Sequence, residues 1–298
     1  MQPSFKGSDG TELSLSIERG PAGSPTLLFI NGLACPHMYW EGMRKAFRGR
    51  ATLVSFDLKG HGTSDPARTA GGATIEGCAR DAVLALDAAN AREAVVLGFS
   101  LGCQIGLEIS RAHSDRVAGY VLALGAFEMP FATVLSGKLG PVPHALISGV
   151  PTAFVRMSLK WGGRVMTSGY AHRLAQRASM VGKNTPLAVM SPFYKHMGSI
   201  DAGTWIALAQ SARDHSAATL LSAIRVPTLV VAGGRDTLTP PSVGRTMAEG
   251  IPGADYLEIP NATHTGLLDE ETAIVGGVHR FFERNGLSRA AETPRQVT

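Results

Sequence analysis

Six short stretches rich in apolar residues recur along the chain, at 26–30, 53–56, 94–99, 117–124, 226–232 and 256–259. A strand with one wet face alternates apolar and polar residues. A strand that is apolar at nearly every position has both faces covered, which requires a parallel sheet flanked by helices. Helix-like segments lie between these runs, at 40–47, 75–89, 101–113, 242–250 and 271–284. The alternation predicts an α/β chain with a doubly wound, mostly parallel sheet. The start of the chain differs. Asp9-Gly10 is a turn dipeptide, and Leu13, Leu15 and Ile17 alternate with polar residues after it, so an antiparallel hairpin is expected there.

The rhythm breaks between 127 and 222, where no convincing strand occurs. A structureless loop of that length is implausible. Helix-length segments at 143–159, 170–180, 186–196 and 203–213 instead predict a helical cap over the carboxyl edge of the sheet. The expected division is a core of 1–126 and 223–298, with a cap of 127–222. The whole chain carries a net charge of +4, too small an excess over 298 residues to indicate a nucleic-acid partner. That charge is uneven: nine Lys/Arg face three Asp/Glu between 126 and 215, leaving the remainder slightly acidic. The basic surplus is consistent with a solvated helical surface, or with a site that favours anionic substrates or a lipid surface.

With 44% hydrophobic residues the chain can bury a large core, which excludes disorder, collagen and coiled coil. The cysteines are Cys35, Cys78 and Cys103. They form no CxxC, and an odd number suits a reducing compartment. The N-terminus lacks the basic and apolar regions of a signal peptide, and no apolar run approaches the roughly 20 residues of a membrane span. A cytoplasmic location is therefore the expectation, as is a frayed tail after Gly286.

Gly98-Phe99-Ser100-Leu101-Gly102 is a G-x-S-x-G. It follows an apolar strand and opens a helix, the setting of a nucleophile elbow. The glycines have no Cβ to collide where strand and helix come close. Ser100 then stands at the carboxyl end of its strand with its hydroxyl above the sheet. A serine hydroxyl is a weak nucleophile at neutral pH and needs a base, which in turn needs an orienting carboxylate. Of nine histidines, His264 follows the last strand in the loop PNATHTG, at the same sheet edge. Asp236, in AGGRDTLTP directly after the fifth run, is the favoured orienter. Glu128, just after the fourth run, is its rival. A tetrahedral intermediate also needs backbone N–H donors for its oxyanion. The amide of Leu101, at a helix N-terminus, and that of Leu33, after Asn31-Gly32, are the expected pair.

These pieces, INGL (30–33), DLKGHGTSD (57–65), GFSLG (98–102), GGRD (233–236) and the histidine of NATHTG (261–266), resemble the α/β-hydrolase superfamily in content and order. The resemblance extends over about 11–284. It implies a Ser–Asp–His triad at Ser100, Asp236 and His264, an oxyanion hole at Leu33 and Leu101, and a cap between strands six and seven. Two departures stand out: Asn31-Gly32 replaces the usual HG, and Lys59 takes a position where Arg is common. A serine at 100 argues against the dehalogenase and epoxide hydrolase branches, which use Asp.

His61, between Gly60 and Gly62, reads as structural. Cys103 is expected to pack beneath the elbow, and Cys35 to lie near the oxyanion loop. No cluster has metal-ligand spacing and no phosphate-binding glycine motif is present, so the chemistry is expected to be cofactor-free. The implied reaction is acyl transfer on small to medium, largely apolar esters. Met129, Phe131, Phe154, Met157, Trp161, Met166, Phe193 and Tyr194 are candidates for the pocket. Residues 239–256 and the NG-type loop look similar to enol-lactonases. C–C bond hydrolases, thioesterases and perhydrolases use the same triad. A small-molecule receptor with a vestigial triad is the alternative from another class.

Overall fold

A computed structural model of the chain describes residues 3–128 and 152–288. Its strands are β1 (Ser4–Lys6), β2 (Glu12–Glu18), β3 (Thr26–Ile30), β4 (Thr52–Phe56), β5 (Ala94–Phe99), β6 (Val117–Ala123), β7 (Thr228–Gly233) and β8 (Asp255–Ile259). They form one sheet in the order β1-β2-β4-β3-β5-β6-β7-β8. β1 and β2 make the expected hairpin, with Ser4 opposite Ser14, and Gly10 turns it at a φ of 79°. β2 runs antiparallel to β4. All pairings from β4 across to β8 are parallel.

Two-sided burial explains why the central strands are apolar throughout. Leu28 and Ile30 of β3, Val96 of β5 and Val230 of β7 point into one core cluster. Their neighbours Leu27, Phe29, Val95, Leu97, Leu229 and Val231 point into the other. The first cluster is closed by α2 (Ile75–Ala88), α3 (Leu101–His113) and α9 (Pro241–Gly250). The second is closed by α1 (Glu41–Phe47) and α11 (Glu271–Arg284). Each fully buried Leu or Phe in such a core contributes about 1.5–3 kcal/mol. β8 lies at the edge and is only half-buried, which is why it tolerates Glu258. β7 starts two residues later than expected because Pro227 has no N–H for the ladder; its carbonyl instead accepts from the Tyr120 amide.

Between β6 and β7 the described chain is helical: α4 (Thr152–Met166), α5 (Gly169–Arg177), α6 (Leu187–Met197), α7 (Ala202–Asp214) and the short α8 (Ala218–Leu221). α10 (Gly266–Asp269) follows β8. Ser168 caps α5 through the Ala171 amide, and Asp201 caps α7 through that of Thr204; each cap satisfies a donor with no intrahelical partner. α4 continues past the expected end at 159. Gly163 lies so close to α6 that a Cβ there would sit 2.4 Å from the Tyr194 carbonyl oxygen. The glycine thus serves helix contact rather than termination. The first half of the 143–159 expectation lies outside the described residues. α4–α6 share a small apolar cluster built on Ala175, Val181, Met190 and Tyr194, with Met166 packed against it. α7 belongs to the main body, with Leu208 and Ala212 in the first core cluster. Among the described residues no helix is long and apolar enough to cross a membrane.

Candidate active site

The chain order reverses between β3 and β5, which lie side by side with β4 beyond one and β6 beyond the other. Loops at the carboxyl ends of such strands diverge and leave a crevice. Ser100 stands there between β5 and α3, at φ 54° and ψ −117°. A non-glycine residue at positive φ costs on the order of 1–3 kcal/mol and persists only where its surroundings hold it. The Ser100 amide donates to the Ala123 carbonyl, and its own carbonyl accepts from the Cys103 amide. The flanking glycines are required by space. A Cβ at Gly98 would sit 2.5 Å from the Gly102 carbonyl oxygen, and one at Gly102 would sit 2.3 Å from that of Ile30. Cys103 packs beneath the turn as expected, directed at the carbonyls of Gly98 and Ala123.

The loop after β7 and the loop after β8 are tied together by backbone bonds. The Gly234 amide donates to the Ile259 carbonyl and the Arg235 amide to that of Ala262. This places Asp236 beside His264, with Asp236 Oδ2 2.8 Å from His264 Nδ1. On the far side of the ring, Nε2 lies 3.0 Å from Ser100 Oγ. A carboxylate only accepts, so Nδ1 carries the proton and Nε2 is free to accept from the hydroxyl. The Asp236 side chain is wholly buried, and that of His264 keeps 14% of its surface exposed. Asp236 Oδ1 accepts the amides of Leu238 and Thr239 at 2.8 and 2.9 Å. Its Oδ2 also accepts the Thr239 hydroxyl at 2.7 Å. The carboxylate therefore cannot swing away. Glu128, the rival orienter, accepts from the Ser216 hydroxyl instead, because its backbone bridges to Ser216 and turns it from the histidine.

The Leu33 loop abuts the serine: a Cβ at Gly32 would meet Ser100 Cβ at 2.9 Å. Ala34 adopts a φ of 64°, and its amide donates to His61 Nε2 at 3.0 Å. His61 Nδ1 donates in turn to the Lys59 carbonyl at 2.8 Å. Burial pushes the His61 imidazole down to about 4, so it is a neutral acceptor. The residue is structural, as expected, but its place is specific: it clamps the loop that carries the Leu33 amide. Lys59, the departure from Arg, is fully buried. Its Nζ meets Asp81 at 2.5 Å and Asp9 at 3.5 Å and donates to the Gly72 carbonyl. Burial would raise the Asp9 carboxyl, but bonds from Thr11 and the Arg68 amide, with the Lys59 charge, hold it below the usual carboxylate range.

An aromatic cluster runs from α6 to the His264 ring. Tyr39 stacks on Phe99 at 4.8 Å, Phe193 of α6 meets Tyr39 edge-on at 5.8 Å, and Phe99 lies 5.4 Å from the His264 ring. Of the expected pocket residues, Phe193 joins this cluster. Tyr194 is buried with its hydroxyl on His172. Phe154, Met157 and Trp161 are exposed on the outside of α4, which corrects their assignment to the pocket. Met129 and Phe131 lie outside the described residues. Cys35 is buried beside the loop, directed at the Leu33 carbonyl, and burial raises its thiol well above the usual range. Glu76, Glu108 and His215 bring possible metal-ligand atoms within 4.8 Å of one another. Both Glu108 oxygens are engaged, however, by Arg111 Nε at 2.6 Å and His215 Nε2 at 2.9 Å.

The model of the alpha/beta hydrolase fold family matches residues 25–271, and the chain belongs to this family. It is 28% identical over 261 residues to a protein of Azorhizobium caulinodans provisionally named carbamate hydrolase RutD, covering 86% of this chain and 89% of that one. It is 23% identical to 3-oxoadipate enol-lactonase 1 of Acinetobacter baylyi, covering 88% of this chain and 89% of the relative. An esterase from Exiguobacterium antarcticum superposes with a TM-score of 0.77 at 20% identity, over 95% of this chain and all of the esterase. The family and these relatives support a hydrolase.

Proposed function

We propose that the chain is a serine hydrolase acting on small to medium, largely apolar carboxylic esters. The supporting observation is the hydrogen-bonded line from Ser100 through His264 to Asp236. His264 Nε2 takes the hydroxyl proton as Ser100 Oγ attacks the substrate carbonyl. The resulting oxyanion rests on the amides of Leu33 and Leu101, aided by the N-terminus of α3. His264 then protonates the leaving oxygen, and an acyl-enzyme remains. Water attacks it by the same route, with His264 again the base. Asp236 holds the imidazole in the required tautomer and stabilises its charged form. Phe193, partly exposed at the end of the aromatic cluster with Tyr39 and Phe99, suits an apolar group beside the scissile carbonyl. Residues 127–222 act in this reading as a cap, tethered to the body through α7 and supplying Phe193.

The second reading is a lactone or carbamate as substrate, which the names of the relatives favour. Both present a carbonyl with a heteroatom leaving group, so the same residues serve. A fluorophosphonate probe with peptide mapping, run beside a panel of esters, lactones and carbamates, tests the proposal. Label on Ser100 that is lost in His264→Ala is expected, with a fall in kcat of about 10⁴–10⁶ in Ser100→Ala. Turnover that survives Ser100→Ala would remove the mechanism. The panel separates the substrate readings.

A further inference from the structure

The large apolar side chains that stand exposed among the described residues are Phe154, Met157, Trp161, Val165, Tyr170, Leu174, Met180 and Val189. All lie between 154 and 189, in or beside α4–α6. At about 100° per residue, Phe154, Met157, Trp161 and Val165 form a single ridge along α4. The ridge points away from the body, because Leu159 and Gly163 on the opposite side are the buried positions. Trp161 is 60% exposed and Phe154 56%. Tyr170, 75% exposed, and Leu174 sit one turn apart on α5, which packs against α4. Monomeric proteins rarely leave contiguous apolar surface of this kind without a partner.

Charge tells which partner. Arg156, Lys160 and Arg164 form a second stripe on one flank of the same ridge, and Arg173 and Arg177 stand beside Tyr170 and Leu174. From 152 to 214 eight Lys/Arg face only Asp201 and Asp214. Arg156 and Lys160 line a groove of about 450 Å³ against Gly60, Gly62, Ser199 and Asp201, whose carboxylate is the one acidic group among the described residues that line it. A neighbouring groove is lined by Lys160, Arg164 and Lys195. An apolar ridge with Trp and Phe at its crest and cations along its flank is the pattern of a helix lying in the plane of a membrane interface. The rings enter the acyl boundary while the cations meet anionic headgroups.

We propose that the outer face of α4 and α5 docks on an anionic lipid surface, delivering the cap side of the molecule to the bilayer without crossing it. The proposal is independent of the triad, since the ridge contains none of the residues at the rim.

The test uses the full chain with vesicles of phosphatidylcholine, with and without phosphatidylglycerol. Sedimentation with the anionic vesicles, weakened by salt, is expected, with a blue shift of tryptophan emission. Trp161→Phe should keep the binding and lose most of the shift. Phe154→Ser with Trp161→Ser should lower partition by roughly tenfold or more, and Arg156→Glu with Lys160→Glu likewise. Phe154 and Trp161 are on exposed helix surface away from the Gly60–Gly62 loop, so in that pair the melting temperature and the hydrolysis of a water-soluble ester should not change. No sedimentation of the wild-type chain, or partition that ignores lipid charge, would overturn the proposal. So would self-association of the wild-type chain that Trp161→Ser abolishes without any vesicle binding, which would give the ridge to a second copy.

Discussion

At the sheet rim, Asp236 and Lys59 are sealed from water with each charged atom held by named partners. Along α4 and α5 the reverse holds. Apolar rings and side chains stand in water, and the cations beside them are exposed. The rim keeps polar groups where water would be expelled, which is what the proposed reaction requires: a carbonyl reacts best against fixed donors and a fixed base in a low-dielectric place. The outer helices keep apolar groups where water would be expelled only on contact with something else. Precision therefore resides in the loops after β3, β5, β7 and β8, while α4 and α5 carry the means of meeting a surface. His61 is a seam between the two regions. It clamps Ala34 on the rim, and its ring lies 6.1 Å from that of His196 on α6. The next residue back, Gly60, accepts the amide of Asp201 at the head of α7.

Lys59 carries the largest expected effect. Lys59→Ala leaves the buried carboxylate of Asp81 without its cation and should cost about 3–5 kcal/mol, read by urea unfolding. A loss below about 1 kcal/mol would mean that water reaches the rim freely, and the contrast with α4 would fail. A slightly smaller effect is expected from His61. Its imidazole ordinarily titrates at 6.5 and is held near 4 by burial. In that window the unfolded chain binds the proton and the folded chain does not, so stability rises with pH. The stabilisation is complete above pH 6.5 and is lost as pH falls toward 4, on the order of 3 kcal/mol in full. Asp269, raised to about 6 by burial, works with the opposite sign: stability falls as pH rises from 3.8 to 6. His61→Gln keeps Asp269, so the difference between the two stability–pH curves isolates the histidine. Parallel curves would show that the ring at 61 is wetter than its surroundings imply.

What the sequence disclosed, and what it did not, follows the same division. β3, β5 and the helices at 101–113 and 271–284 have the expected bounds, because two-sided burial writes an apolar residue at every strand position. Ser100, Asp236 and His264 were legible because each sits at a strand end, and because Gly98 and Gly102 announce a turn that no side chain would fit. Lys59 was legible only as a departure from Arg. A lysine in a single sequence looks solvated, and its burial depends on Asp9 and Asp81, which lie far from it along the chain. The neutral state of His61 was hidden for the same reason. Phe154, Met157 and Trp161 were misplaced because helical spacing reveals an apolar face without saying which way it turns. That direction is set by Gly163 and Leu159, the positions where α4 touches its neighbours. Glu128 stood at a strand end like Asp236, yet a backbone bridge to Ser216 decided its direction.

The smallest expected effects lie on the ridge and report whether it is bare in the isolated chain. Val165 is 54% exposed and Leu174 56%, so neither surrenders much contact on truncation. Val165→Ser and Leu174→Ser should each change unfolding stability by no more than about 0.5 kcal/mol. Leu97→Ala, in the middle of β5, should cost about 2–5 kcal/mol. The ratio between the two matters more than either value. A loss of core size at Val165 or Leu174 would mean that the outer face is covered by the chain itself, since only buried apolar area returns that much free energy. Near-neutral values would leave the ridge bare in solution. The chain would then carry apolar area that stabilises nothing until a surface covers it, and adding anionic vesicles should raise the melting temperature of the wild type more than that of either variant, because a ligand that binds only the folded state stabilises it in proportion to its affinity.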